Sequence, residues 1–249
     1  MDFNAITQSY YELWLGEQGC LTENSNKNLF IYSTERNKIQ LGYTSCLDVL
    51  VWIQSDNFIL SYGDAAKAGV NKIEECFSIL YGASDVAHTL SNIFDCNVAH
   101  SIKYVYKNLP HSDNNDVKTL VSGDYDDYKN FFCSCHPNVK DTDWLKEYFD
   151  DMSKHGYCVG VYINNLLVSC TDAPNMPYMN DKVQEIGVNT LHDYRGKGYA
   201  AIACIKAAEN IIISGKVPQW STSIDNIASQ NLAERVGFVK LSDVLSLSL

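Results

Sequence analysis

Ten residues near the C-terminal end, HDYRGKGYAA at 192–201, combine the residue types that hold a phosphate. Arg195 and Lys197 supply positive charge, and Gly196 and Gly198 leave no Cβ to keep an anion at a distance. An alanine-rich run follows. If it is a helix, its first backbone N–H groups lack intrahelical acceptors and sit at the positive end of the helix dipole. The bland alternative is an exposed tight turn carrying two cations, because Gly-x-Gly alone is a short motif.

Two phosphate chemistries compete for this loop. Gly196-x-Gly198-x-x-Ala201 satisfies the dinucleotide pattern G-x-G-x-x-[GA], and Asp225 lies near the distance of an acidic ribose ligand. That fold opens with this unit and needs further βαβ repeats after it, and too little chain follows here. No Walker-type G-x-x-x-x-G-K-[ST] is present. The second chemistry rests on the wider pattern. Arg195-x-x-Gly198-x-Ala200 resembles the [QR]-x-x-G-x-[GA] loop of the GCN5-related N-acetyltransferases (GNAT). The segment NIASQNLAERVGF at 226–238 resembles their N-x-x-[AS]-x-x-[LYF]-x-x-x-G-F element. Within that superfamily the nearest likeness is to the zwittermicin-A-resistance acetyltransferases. It is carried by Thr190, the RGKG run, Pro218, Trp220, Asn226, Ser229, Leu232, Ala233, Gly237 and Phe238.

The resemblance implies acetyl-CoA, or another acyl-CoA, as cofactor. Its pyrophosphate would be held by Arg195, Gly196, Lys197, Gly198, Tyr199 and Ala200. Its pantetheine arm would pair like an added strand with Gly187, Val188 and Thr190. Asn226 would cap the last helix and bond the pantetheine amides, with Ser229 beside it; by itself Asn226 reads as a plain N-cap. The implied reaction is attack of an amine on the thioester. Glu185 is then the candidate base, against a water-facing carboxylate at a strand edge. The Val188 N–H is the candidate oxyanion donor. Many members use a tyrosine in the last helix as general acid. This chain has Ala233 there, and Ser229 is a weak substitute. The expected function is N-acetyl transfer to a small amine, an antibiotic or metabolite. The alternative is an acyl-CoA-binding sensor or partner protein with little turnover.

The elements that must position these residues follow from periodicity. The run VQEIGVNTL at 183–191 reads as one strand, and 198–214 as a helix with Ala201, Ile205, Ala208 and Ile212 on one apolar stripe. Gly215 and Pro218 end it, and PQWSTSI is the next strand. Earlier, 123–135 and 141–154 read as helices, and 157–163 and 166–172 as a hairpin turning on Asn164-Asn165. The first block gives helices at 5–16, 64–80 and 83–94, and strands at 28–34, 47–54 and 101–107. The polar stretch NLPHSDNNDVKTL suggests a boundary near 112. The expected architecture is therefore α/β with two domains. A mixed α/β domain (1–112) would serve packing, dimerisation or acceptor shaping. A GNAT domain (113–249) would hold a mixed, twisted sheet split at the cofactor cleft. A homodimer is left open.

Composition narrows the partners. The net charge is −11, spread as −5 over 1–110 and −6 over 111–249, so neither half offers the positive field that nucleic acid needs. No apolar run reaches the length of a membrane span. Nine scattered cysteines without a C-x-x-C pair, and a start without a basic leader, suggest free thiols in a cytoplasmic protein. Cys133-x-Cys135-His136 lacks a four-ligand set, so no metal site is expected. Glu147, Asp150 and Asp151 form either a solvated acidic face or a rim that attracts a cationic amine.

Overall fold

The apolar run VLVWI builds a strand buried on both faces, and it sets the architecture of the first half. In the computed structural model, residues 1–22, 27–55, 57–76, 82–108 and 117–249 are described. The chain opens with helix α1 (Phe3–Leu15) and strands β1 (Leu29–Tyr32), β2 (Val49–Ile53) and β3 (Phe58–Tyr62). Helices α2 (Lys67–Cys76) and α3 (Ala83–Phe94) and strand β4 (Ala99–Tyr106) follow. After the undescribed 109–116 come β5 (Val117–Thr119), α4 (Tyr125–Cys135), α5 (Leu145–Lys154), β6 (Val159–Ile163) and β7 (Leu166–Asp172). The last part holds β8 (Val183–Glu185), β9 (Gly187–Thr190), α6 (Tyr199–Ile213), β10 (Val217–Ser223), α7 (Ile227–Val236) and β11 (Phe238–Leu247).

A seven-stranded sheet runs β1-β3-β2-β11-β4-β10-β8, and a four-stranded sheet runs β5-β6-β7-β9. Successive side chains of a strand point to opposite faces, so β2 serves two cores. Leu50 and Trp52 pack in a cluster with Tyr11 and Leu15 of α1. Val49 and Val51 pack in another with Ile73 of α2 and Leu90 of α3. A third cluster joins α4, α5, α6 and α7 to the smaller sheet and β4. The architecture is the mixed α/β class expected.

The structure differs from the sequence reading in three places, and one further reading falls on residues outside those described. The boundary near residue 112 lies outside the described residues, and strand pairing crosses it. β4 lies between β10 and β11, and β2 pairs with β11. Strands of the N-terminal block and of the C-terminal part thus belong to one sheet. Second, 183–191 is two strands in two sheets, broken at Ile186. Third, β3 was not foreseen; it pairs parallel to β1 and antiparallel to β2. Fourth, the buried stripe of α6 is Ala201, Cys204, Ala208 and Ile211, flanked by Ala203 and Ala207. Ile205 and Ile212 are only half-buried. The helix expected at 64–80 begins as a 3₁₀ turn and continues as α2; residues 77–80 lie outside the described residues.

The hairpin at Asn164-Asn165 forms as expected, with both residues at positive φ (51° and 63°). Among the described residues no helix is long and apolar enough to cross a membrane. Cys158 and Cys170 lie 3.5 Å apart as free thiols in the core.

Candidate active site

The site begins where one run of chain changes partners. Glu185 is the last residue of β8 and sits opposite Gln219 of β10. The Ile186 N–H still donates to the Gln219 carbonyl at 3.1 Å. One residue later Gly187 sits opposite Asp172 of β7. β9 and β10 therefore diverge from this point and leave a cleft of about 730 Å³ between them.

Register fixes which groups of β9 face the cleft. The Leu191 N–H donates to the Val168 carbonyl opposite it at 2.9 Å. In an antiparallel ladder bonded pairs alternate with unbonded ones. Asn189 and Gly187 thus bond β7, while the N–H and C=O of Val188 and Thr190 project from the open edge. The Thr190 carbonyl is taken by Arg195, whose Nε donates to it at 3.1 Å. Its hydroxyl lies 2.8 Å from Ser169 Oγ. Among the described residues Val188 keeps an unpaired donor and acceptor on the cleft side.

The glycine loop closes one end of the cleft. Gly196 and Gly198 have φ of +74° and +86°, a region that L side chains rarely adopt. Gly198 is the N-cap of α6 and offers no side chain to it. The Tyr199 and Ala200 N–H groups have no intrahelical acceptor by position. Ala201 N–H is already bonded to the Gly198 carbonyl at 3.1 Å. Arg195, Gly196, Gly198 and Ala200 line the cleft. The side chains of Lys197 and Tyr199 do not. Lys197 Nζ lies over the Tyr194 ring, 5.0 Å from its centroid, and Tyr199 packs against the core.

The opposite wall comes from β10 and α7. Asn226 Oδ1 caps α7 by accepting from the Ser229 N–H at 3.1 Å. Ser229 Oγ accepts from the buried Trp220 indole at 3.2 Å, which leaves its own proton for another acceptor. Ala233 is fully buried, so its position sends no side chain into the cleft. Arg235, in the last turn of α7, also lines the cleft, and its Nη2 lies 3.6 Å from where a Gly198 Cβ would be. Sequence reasoning missed Arg235, which carries no local signal beyond a cation at a helix end.

At the vertex, half-buried Glu185 accepts from Ser221 Oγ at 2.7 Å. A second carboxylate, Asp172, was also not foreseen. A Cβ on Gly187 would stand 1.7 Å from Asp172 Oδ1, so only glycine lets that carboxylate lie against β9. Among the described residues its Oδ1 is buried without a hydrogen-bond partner. Burial, and then the charge of Glu185, push the Asp172 pKa up to about 6. Asp172 does not line the cleft.

The remaining candidates lie elsewhere. His136 packs on the Phe132 ring at 4.5 Å, and Cys133 is exposed. His192 is exposed and lies 3.1 Å from Asp193. Glu147, Asp150 and Asp151 line a separate groove beside α5, with Asp150 paired to Lys146.

The family model described as GNAT acetyltransferase matches residues 49–243, most of the chain and both sides of residue 112. No curated protein matches the chain by sequence. Among solved structures, a GNAT-family acetyltransferase from Colwellia psychrerythraea is similar at 15% identity and a TM-score of 0.53, over 65% of this chain and 62% of that one. A GCN5-related N-acetyltransferase from Sphaerobacter thermophilus is similar at 12% identity and a TM-score of 0.50, over 68% of this chain and 58% of that one. The chain spans less than two thirds of either relative. These likenesses show the fold.

Proposed function

Because this chain belongs to the GNAT acetyltransferase family, we propose that it moves an acetyl group from acetyl-CoA to the amine of a small molecule. One observation carries the proposal: the cleft joins a free strand edge at Val188 to unpaired helix amides at Tyr199 and Ala200. Those two features suit the two ends of one ligand. The bare amides, with Arg195 and Arg235 beside them, suit a pyrophosphate. The strand edge suits an amide-bearing arm that pairs like a strand. Acetyl-CoA supplies an activated thioester.

We assign Glu185 as the group that takes the amine proton, directly or through a water, with Ser221 holding its carboxylate. The Val188 N–H is the assigned donor to the carbonyl oxygen as that oxygen gains charge. Gly187 and Thr190 flank it on the arm. Asn226 and Ser229 form the facing wall, and Ser229 is the proton source we assign to the departing thiolate. The match over Thr190, Arg195–Gly198, Pro218–Trp220 and 226–238 supports the finer likeness to the zwittermicin-A-resistance type.

A second reading, an acyl-CoA sensor with little turnover, is favoured by the buried Ala233. The deciding experiment is calorimetry with acetyl-CoA on the wild type and on Gly198→Trp, with circular dichroism to verify folding. The indole would fill the approach to the α6 amides at a residue with positive φ. The expected result is tight binding by the wild type and none by the variant. Unchanged affinity would remove the basis of the loop assignment. Tight binding without thiol release on any amine would favour the sensor.

A further inference from the structure

On the other side of Glu185 the larger sheet carries a second pocket, of about 80 Å³, roofed by α1. Its floor follows from the register. Lys103 of β4 sits opposite Ser221 of β10, and Gln219, two residues back on the same strand, sits opposite Glu185 of β8. These four side chains share one sheet face. Tyr10, Tyr11 and Trp14 of α1 close it from above, and Trp52 and Leu50 of β2 close its far end. Glu185 and Ser221 line both this pocket and the cofactor cleft, so the two spaces meet there.

Among the described residues two polar groups in this pocket lack a protein partner, and a third has one only. Gln219 is 2% exposed, gives its Nε2 to Thr7 Oγ1 at 3.0 Å, and leaves Oε1 buried without a donor. Among the described residues Lys103 has no ion pair or hydrogen-bond partner for its ammonium. Glu185 has Ser221 alone. Lys103 and Glu185 flank Ser221 yet do not pair with each other. Burial lowers the Lys103 pKa and the Glu185 charge opposes that drop.

From this arrangement we infer that the pocket takes the acceptor, a compact α-amino acid bound as a zwitterion. Its carboxylate pairs with Lys103. Its amine meets Glu185 and Gln219 Oε1 at the mouth of the cleft, and its short side chain packs against the α1 aromatics. One positive and one negative wall match a zwitterion, whereas a simple amine leaves Lys103 unpaired and a polycation is repelled by it. Size points the same way. At 10–15 Å³ per water-sized occupant, the cavity of about 80 Å³ holds roughly 5–8 heavy atoms, room for an amino acid no larger than valine.

The inference deepens the proposed transferase reading and rests on it for the chemistry, so binding and turnover are measured apart. Calorimetry without cofactor compares L-alanine and L-valine with alaninamide and valinamide on the full chain. The amino acids are expected to bind about tenfold tighter or more than the amides, the scale of one charge-assisted contact. Lys103→Met is expected to erase that difference and Lys103→Arg to keep it, with acetyl-CoA affinity reporting that each variant is folded. Thiol release then follows the same order of preference. Equal binding of acids and amides, or no binding of either amino acid, overturns the inference. If acetyl-CoA itself fails to bind, the transferase reading falls, and the cofactor-free comparison still decides what the pocket recognises.

Discussion

Glu185 and Asp172 are two carboxylates near one vertex with different surroundings. Glu185 is half-buried, hydrogen-bonded and open to both spaces. Replacing it with glutamine should lower kcat/KM about 10²–10⁴-fold at neutral pH. Activity should recover in part at high pH, where the amine arrives deprotonated. A variant pH–rate profile that matches the wild-type profile in shape and height would make Glu185 a bystander. Asp172 is the opposite case, with a buried oxygen and a pKa raised to about 6. The unfolded chain releases that proton near the ordinary carboxylate pKa of about 4. Between those values the folded state binds more protons, so stability falls as pH rises through the window. Asp172→Asn should therefore raise the melting temperature at pH 7, by a gain on the order of 2 kcal/mol, and the gain should fade toward pH 4. An equal gain at both pH values would show that charge is not the cause.

At the scale of elements, the break at Ile186 is what opens the cleft, and Gly187 is its condition. A methyl group there would meet Asp172 Oδ1 at 1.7 Å. Gly187→Ala should destabilise the chain by about 1–3 kcal/mol through overpacking, and adding Asp172→Ala should recover most of that loss in denaturant melts. Additive losses in the double variant would refute the clash. Local elements were legible in sequence because their causes are local. The Gly196 and Gly198 conformations, the Asn226 cap, the Asn164-Asn165 turn and the ends of α6 each follow from residues within one turn of chain. The break at Ile186 was not legible, since VQEIGVNTL reads as one strand until two sheets compete for its edges. The pairing of β4 between β10 and β11 joins residues more than a hundred apart, and no window of sequence holds both partners. Arg36 was equally hidden. It is fully buried, with its guanidinium 5.7 Å from the Trp14 ring and Nη1 donating to the Leu47 carbonyl at 3.4 Å, and so it steadies the roof of the α1 pocket.

At the scale of the whole molecule, one sheet runs through both halves of the chain. Residues 117–249 expressed alone would leave β10 and β11 without β4 between them, and would expose the sheet face that α1 covers. That fragment should show no cooperative melt, while the full chain should unfold in a single calorimetric transition. Two separated transitions, or a well-folded fragment, would show an independent C-terminal domain. The change of sheet at Ile186 also divides labour within four consecutive residues, 185–188. Glu185 answers to the helix-roofed face, and Gly187 and Val188 answer to the smaller sheet. Exchanging the roof helix and the residues beneath it would redirect which nucleophile is chosen, while the donor's handle stays where it is, so diversification on one flank need not disturb inheritance on the other.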